Sequence, residues 1–233
     1  MSGVLLRLAR LVLARKILNA YNSYGFVSAF IYGPQGCGKT TYALWVLREV
    51  YGNWDDVIDN TYFYIDSLIP RLKDCVKSGK RIKVVLLDDA GVWLIKYHWR
   101  REFSVWFSKL FNLIRTVCSG IIFTSVEASD IVKFVRDKVM FRVQIRVGGV
   151  DDSGVVWREA RGYEVFVLPT LEHHIRWAFS DYYPLWLPGR VRERYEAKRR
   201  EALERLVGEV EGRKVSKALP DVGVDVGGLV SEI

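Results

Sequence analysis

The sequence predicts an α/β fold in which a parallel sheet is sandwiched by helices. Apolar, β-branched runs alternate with helical segments through residues 1–140, as is typical of parallel sheets covered on both faces. A glycine-rich loop, GPQGCGKT at residues 33–40, joins the first strand to a helix, and a later strand ends in Asp88 and Asp89. Because open α/β sheets bind ligands at the carboxyl ends of their strands, both features predict a ligand site there.

Residues 1–20 form a basic amphipathic segment before the first strand. Arg7, Arg10, Arg15 and Lys16 are interleaved with Leu and Val, so the apolar runs are too short for a secretory signal or a transmembrane span. We expect a short helix packed against the sheet, and a helix lying on a membrane surface is the alternative.

The loop at residues 33–40 fits the phosphate-binding pattern GxxxxGK(S/T). It follows an apolar strand, Phe26 to Tyr32, and opens a helix that Gly52 ends. Its backbone N–H groups would cradle phosphates, Lys39 would reach the β- and γ-phosphates, and the Thr40 hydroxyl would ligate Mg²⁺. The residues expected to bind the nucleotide are Gly33, Pro34, Gln35, Gly36, Cys37, Gly38, Lys39, Thr40 and Thr41.

Two further strands supply the rest of the expected site. IKVVLLDD at residues 82–89 delivers Asp88 as a Mg²⁺-side carboxylate and Asp89 as the group that orients the attacking water. The next strand, Gly120 to Thr124, ends in Thr124 and Ser125, which could contact the γ-phosphate or that water. The predicted catalytic residues are therefore Lys39, Asp89, Thr124 and Ser125. A carboxylate pair that caps the next segment, and a strand end that merely turns, are the alternatives.

Taken in order, these motifs resemble those of the AAA+ ATPases, which belong to the ASCE group of P-loop NTPases. The order is GPQGCGKT, VVLLDDAG, a helix with EFSVWFSKLFNLIR, a strand ending IIFTS, and SDIVKFVRDKV, over roughly residues 20–145. The chain is most similar to the DnaA- and DnaC-type replication initiators and helicase loaders, and to ATPases of archaeal viruses and plasmids. The resemblance implies ATP and Mg²⁺ as ligands, Thr124 or Ser125 as first sensor, an arginine finger at Arg136 or Arg142, and a homo-oligomer.

The C-terminal part departs from that family. After Phe141, FRVQIRV, VVWREA and YEVFVL predict a β-hairpin extension and a further strand around a GGVDDSG turn, and a charged helix follows at Arg190 to Glu211. Neither a second sensor arginine nor a helix-turn-helix domain is evident. We therefore expect an N-terminal helix at 1–20, a P-loop ATPase domain at 21–170, a C-terminal helical extension at 171–212 and a flexible tail at 213–233.

A formal net charge of +8 points to a polyanion such as DNA as partner. Two segments could contact it: the aromatic and basic stretch IKYHWRRE, and a stripe on the C-terminal helix. Their candidate DNA-contact residues are Lys96, Trp99, Arg100, Arg101, Arg190, Arg194 and Lys198. An ordinary core loop and a solvated helix face are the alternatives.

Cysteine and histidine usage narrows the function classes further. Three Cys and three His make neither a disulfide framework nor a zinc pattern, so we expect an intracellular protein in the cytoplasm, the host cytoplasm if a virus or plasmid encodes it.

Three functions stay open: a replication initiator or helicase loader, a DNA packaging or translocation motor, and a small-molecule kinase. The first two imply a replication or packaging protein partner. A kinase is less favoured because no Arg-x-x-Arg lid segment is found, and no guanine-reading motif competes with ATP.

Overall fold

The computed structural model describes residues 10–90, 101–126, 138–170 and 172–218, with side chains described outside 101–108, 210 and 212–218. The helices are α1 Val12–Asn22, α2 Lys39–Tyr51, α3 Trp54–Asp59, α4 Ile69–Ser78, α5 Arg101–Val117 and α6 Gly189–Ala218. The strands are β1 Val27–Tyr32, β2 Thr61–Tyr62, β3 Val85–Leu87, β4 Gly120–Ser125, β5 Phe141–Val150, β6 Val156–Val167 and β7 His173–Pro184.

The described strands form one seven-stranded sheet in the order β2-β3-β4-β1-β5-β6-β7. Pairing is parallel from β2 to β5 and antiparallel from β5 to β7. This arrangement confirms the predicted fold class, an α/β fold with a mostly parallel sheet flanked by helices. Because β4 lies between β1 and β3, its polar end is adjacent to both the glycine-rich loop and the acidic pair.

The first core lies between one sheet face and helices α1 and α2. Leu13, Ile17 and Leu18 of α1 are fully buried there, as are Leu44 and Leu47 of α2. Their spacing places each set on one helix face, and through that face α1 packs against the sheet. The part of the N-terminal segment at residues 1–9 lies outside the described residues.

The second core lies on the opposite face of the sheet. Phe30 of β1 and Phe123 of β4 pack with Leu72 of α4 and Ile114 of α5. Strand residues alternate between the two cores along β1, where Ala29 and Ile31 point to the first core. Helices therefore cover both faces of the parallel part of the sheet, which explains why its strands are apolar throughout.

The C-terminal part differs from the sequence-based expectation. VVWREA and YEVFVL belong to one strand, β6, and residues 173–184, assigned from sequence to a helical extension, form β7. Every second residue near the end of β7, namely Phe179, Asp181 and Tyr183, is buried. Alternating burial is typical of a strand with one buried face. Because Asp181 is acidic, the sequence here does not show the alternation of apolar and polar residues that predicts a strand.

The last helix also runs further than predicted. Helix α6 spans Gly189–Ala218 and so includes the first residues of the segment that was expected to form a flexible tail. The chain divides into two compact units, one ending at Tyr195 and the other beginning at Glu196. None of the helices in the described ranges combines the length and the apolarity needed to cross a membrane.

Candidate nucleotide-binding site

The glycine-rich loop connects the carboxyl end of β1 to the first residue of α2. Gly36 and Gly38 adopt φ values of 74° and 101°, a left-handed region in which other residues are disfavoured. The Gly33 N–H donates to the carbonyl of Val126, 3.3 Å away, just beyond the end of β4. The loop is thus anchored to the neighbouring strand and presents the N-terminus of α2 toward its concave side, as an anion site requires.

Lys39 folds back over this loop. Its Nζ donates hydrogen bonds to the carbonyls of Gly33 and Pro34, at 2.9 and 3.0 Å, and the residue is buried. Phosphate oxygens carry more negative charge than these carbonyls, so they would be stronger partners for the same ammonium group. The cation is therefore already held at the loop where the sequence places phosphate.

Asp88, at the end of β3, is the centre of the site. Its carboxylate is fully buried and accepts hydrogen bonds from three hydroxyl groups. Thr40 Oγ1 lies 3.0 and 3.1 Å from the two carboxylate oxygens, Thr124 Oγ1 lies 2.5 Å from Oδ1, and Tyr195 Oη lies 2.5 Å from Oδ2. The predicted metal-ligating pair, Thr40 and Asp88, is therefore in direct contact across 48 residues of sequence.

Asp89 leaves the strand in a left-handed conformation, with φ of 49°. Its backbone N–H donates to Thr124 Oγ1 over 2.9 Å, so the Thr124 hydroxyl connects both acids. Asp tolerates this region better than most residues. Ser125 follows Thr124 at the end of β4 and is buried. The next residue, Val126, accepts the hydrogen bond from the Gly33 N–H. The structure thus brings the four predicted catalytic residues to one edge of the sheet.

Three residues of the site were not found from the sequence. Tyr183 Oη donates to the Gly38 carbonyl at 3.0 Å, Tyr195 binds Asp88, and the stem of Arg158 lies beside Gly38. They belong to β6, β7 and the first turns of α6, more than 100 positions from their partners. No local motif marks them, because each acts through a contact that only the tertiary fold creates.

Tyr195 is a neutral hydrogen-bond donor in this position. Burial raises its pKa well above the ordinary value, and the nearby negative charge of Asp88 raises it further. Burial likewise raises the pKa of Tyr183. Both hydroxyls therefore remain protonated across the physiological pH range, and both donate hydrogen bonds to oxygen atoms of the site.

The other predicted residues are distributed more widely. Arg142 lies on β5, where it pairs in register with Phe30 of β1 and Tyr163 of β6. Arg194 forms ion pairs with Asp55 and Asp59, whereas Arg190 is exposed near the start of α6. Lys198 lies in the second unit. Arg136, Lys96, Trp99 and Arg100 lie outside the described residues, and Arg101 begins α5 with no side chain described.

The residues present fit a nucleoside triphosphate with Mg²⁺. A Cβ added at Gly36 would meet no atom within 4 Å, so the outer side of the loop is open. The hydroxyl of Thr40 and the carboxylate of Asp88 are hard oxygen donors of the kind that Mg²⁺ prefers, and such sites leave several water ligands on the ion. Lys39 and the N-terminus of α2 supply the positive charge for phosphates.

The sequence is similar to that of a known viral protein. No protein-family profile matches the sequence. The sequence is 33% identical over 210 residues to protein B-251 of Sulfolobus spindle-shape virus 1, covering 85% of this chain and 84% of that protein. The chain belongs to the B-251 family. That family therefore has a member in an archaeal virus.

Two more distant similarities accompany the B-251 relationship. Protein ORF286 of Acidianus two-tailed virus is 25% identical over 154 residues, which is 65% of this chain and 46% of ORF286. The chain thus matches about half the length of that protein. Among solved structures, the flagellar accessory protein FlaH from Methanocaldococcus jannaschii is similar over 73% of this chain and 97% of its own, with 11% identity and a TM-score of 0.36.

Proposed function

We propose that this protein is a Mg²⁺-dependent ATPase. The observation that carries the proposal is the convergence of Lys39, Thr40, Asp88 and Thr124 at one edge of the sheet, from the first turn of α2 and the ends of β3 and β4. A glycine-rich turn without a nucleotide would need none of these contacts. The cation, the hydroxyls and the buried carboxylate are the groups that phosphoryl transfer uses.

Each residue has a separate task in this proposal. Lys39 binds the β- and γ-phosphates, and Thr40 with Asp88 holds Mg²⁺, which would neutralise charge on the phosphate oxygens. Asp89 accepts a proton from the attacking water and orients it. Thr124 positions Asp89 by accepting its backbone N–H, 2.9 Å away.

The biological role that we favour is an AAA+-like ATPase that acts on DNA in the replication of a virus or other mobile element, in the host cytoplasm. Two relatives from archaeal viruses support a viral setting. A DNA packaging or translocation motor is the alternative, and a small-molecule kinase is less favoured. Stimulation of phosphate release by DNA would support either motor-like role, whereas phosphate transfer to a small acceptor would support a kinase.

One face of the β5–β7 extension supports the nucleic-acid part of this role. Strand register places Arg142, Tyr163 and Trp177 in one row across that face. A second row contains Arg146 and Tyr182, with Glu159 between them. Trp177 is 63% exposed and Tyr182 is 62% exposed. Exposed rings beside cations are the combination that binds single-stranded nucleic acid, by stacking on bases and pairing with phosphates.

The ATPase proposal is tested by measuring nucleotide binding and phosphate release in Lys39→Ala and Asp89→Asn. Lys39→Ala should weaken ATP binding at least about 10-fold, because charge-assisted hydrogen bonds contribute roughly 1.5–3 kcal/mol each. Asp89→Asn should bind Mg²⁺ and ATP like the wild type and hydrolyse it more slowly. Calorimetry with ATP and with GTP measures affinity and base preference, and released phosphate measures turnover.

Matched controls come from helix α4. Lys77→Ala and Asp74→Asn make the same chemical changes at exposed positions on its surface, so both should behave like the wild type. ATP affinity retained in Lys39→Ala would contradict the assignment of the loop. Unchanged hydrolysis in Asp89→Asn would move the catalytic carboxylate elsewhere, with Glu127 as the next choice.

A further inference from the structure

Residues 183–195, here called the closing segment, run from the end of β7 into the first turns of α6 and contact the nucleotide site at both ends. At one end, Tyr183 donates to the Gly38 carbonyl, and a Cβ added at Gly38 would lie 2.5 Å from Leu185 Cδ1. The segment therefore packs directly against the backbone of the glycine-rich loop, one residue before Lys39.

At the other end, Tyr195 reaches the carboxylate of Asp88. Tyr195 is 7% exposed, its hydroxyl donates to Oδ2 over 2.5 Å, and its ring packs against Phe63 with centroids 5.7 Å apart. Within the described ranges, the other hydroxyl donors to that carboxylate are Thr40 and Thr124, both from the site itself. Tyr195 is thus the donor that the C-terminal part of the chain contributes to Asp88.

The bond from Tyr195 uses an electron pair that a metal complex also requires. An ionised carboxylate offers about four acceptor positions, and the hydroxyls of Thr40, Thr124 and Tyr195 already share them. Mg²⁺ retains water ligands whose O–H groups need carboxylate acceptors, or it contacts the carboxylate directly. A metal complex that takes a lone pair of Oδ2 competes there with Tyr195 and with the longer of the two Thr40 contacts, 3.1 Å.

We propose that Tyr195 is a nucleotide sensor that Mg²⁺·ATP displaces from Asp88, and that its displacement loosens the first turns of α6. The proposal rests on the ATPase function proposed above and adds a coupled element to it. By linkage, the factor by which Mg²⁺·ATP weakens docking of Tyr195 on Asp88 equals the factor by which docked Tyr195 weakens binding of Mg²⁺·ATP.

Two buried side chains and several polar contacts hold these turns. Val191 and the ring of Tyr195 are buried in the first core, whereas Arg194 contacts Asp55 and Asp59 through surface ion pairs, which contribute little to stability. The hydrogen bond from Tyr195 to Asp88 is the buried polar contact that links these turns to the site. Its loss should increase local opening of these turns.

The decisive measurement is the Mg²⁺ dependence of binding to a fluorescent, non-hydrolysable ATP analogue in wild type and Tyr195→Phe. The variant lacks the competing donor, so half-saturation should occur at a Mg²⁺ concentration about 10-fold lower, the ratio expected for loss of one hydrogen bond to a charged group. Tyr51→Phe is the matched control, since it removes a tyrosine hydroxyl that donates to the Val84 carbonyl. It should leave the Mg²⁺ dependence unchanged.

Hydrogen exchange on the wild type provides a second measurement that needs no variant. Amides of residues 189–195 should exchange faster with the analogue and Mg²⁺ than with the analogue and a chelator. Slower or equal exchange would overturn the proposal, as would an unchanged or weaker response to Mg²⁺ in Tyr195→Phe. If wild type failed to bind the analogue at any Mg²⁺ concentration, the ATPase proposal itself would fall, whereas Lys39-dependent binding with no Tyr195 effect would remove the sensor alone.

Discussion

At the scale of single residues, the contacts of Asp181 predict how the stability of the protein depends on pH. It is buried on β7 and accepts hydrogen bonds from Tyr42 Oη at 2.6 Å and from the backbone N–H groups of Val12 and Leu13 at 2.7 and 3.2 Å. The first turn of α1 contains no acidic residue. Asp181 of strand β7 supplies the carboxylate that caps the N-terminus of this helix. Glu49 assists by accepting the Leu11 N–H over 2.8 Å.

This cap predicts how stability depends on pH. Burial raises the pKa of both Asp181 and Glu49 above their ordinary values, so the folded state holds these protons more tightly than the unfolded chain. Their contribution to the free energy of unfolding is complete below the unfolded pKa, about 3.9 for Asp, and is lost as the pH rises through the folded pKa. Asp181→Asn should therefore flatten the decline in stability above pH of about 4.

Urea unfolding at a series of pH values measures that slope. The exposed Asp74→Asn serves as control, because the same change on the surface of α4 should leave the slope as in the wild type. A slope equally steep in Asp181→Asn would show that other groups produce the pH dependence.

At the scale of elements, the junction between the glycine-rich loop and the closing segment is tightly packed. Gly36 and Gly38 both have positive φ, but a Cβ at Gly38 would also meet Leu185 and, at 3.1 Å, the Tyr183 hydroxyl. Comparing alanine substitutions at the two positions therefore distinguishes the cost of the left-handed backbone, which both share, from the cost of the close contacts at Gly38.

Gly38→Ala should destabilise the fold more than Gly36→Ala. Both substitutions pay the conformational cost of a left-handed alanine, about 1 kcal/mol, and Gly38→Ala adds overpacking of about 1–3 kcal/mol. Gly38→Ala should also lose ATP binding, because Leu185 and the loop must move apart. Thermal melts with and without ATP measure both effects, and equal melting temperatures for the two variants would contradict the packing argument.

Elements were predicted well wherever a local signal existed. The strand before GPQGCGKT, the helix after it, and the strands that end at Asp88 and Ser125 were all expected at their observed places, because glycines, apolar runs and acids mark them. Strand β7 was missed because buried Asp181 interrupts its apolar alternation. Tyr195 could not be found, since its contact with Asp88 crosses 107 residues and follows from the path of the closing segment.

At the scale of the whole molecule, the proposed DNA-binding role rests on the net charge of +8 and on the exposed rings of the β5–β7 face. Trp177→Ala should weaken binding of single-stranded DNA more than that of double-stranded DNA, because stacking on an exposed base contributes about 1–3 kcal/mol. Arg146→Ala should reduce the salt dependence of binding by a slope of about 0.7 if it contacts one phosphate of a single strand.

Fluorescence anisotropy of labelled DNA at several salt concentrations tests both statements. Tyr24→Ala is the matched control, because Tyr24 is 85% exposed and precedes β1, away from the β5–β7 face. DNA affinity equal to that of the wild type in Trp177→Ala would leave the segment IKYHWRRE and the basic residues of α6 as the remaining contacts.

The carboxylate on β7 also bears on the order in which the protein is made. Helix α1 leaves the ribosome before the strands that it packs against, and the Asp181 side chain that accepts its first N–H groups follows Val12 by 169 residues. At roughly 5–20 residues per second, that interval is on the order of 10 s. During that time the N–H groups of Val12 and Leu13 lack the carboxylate that accepts their hydrogen bonds in the folded protein, so the N-terminus of α1 is capped only after β7 has been made.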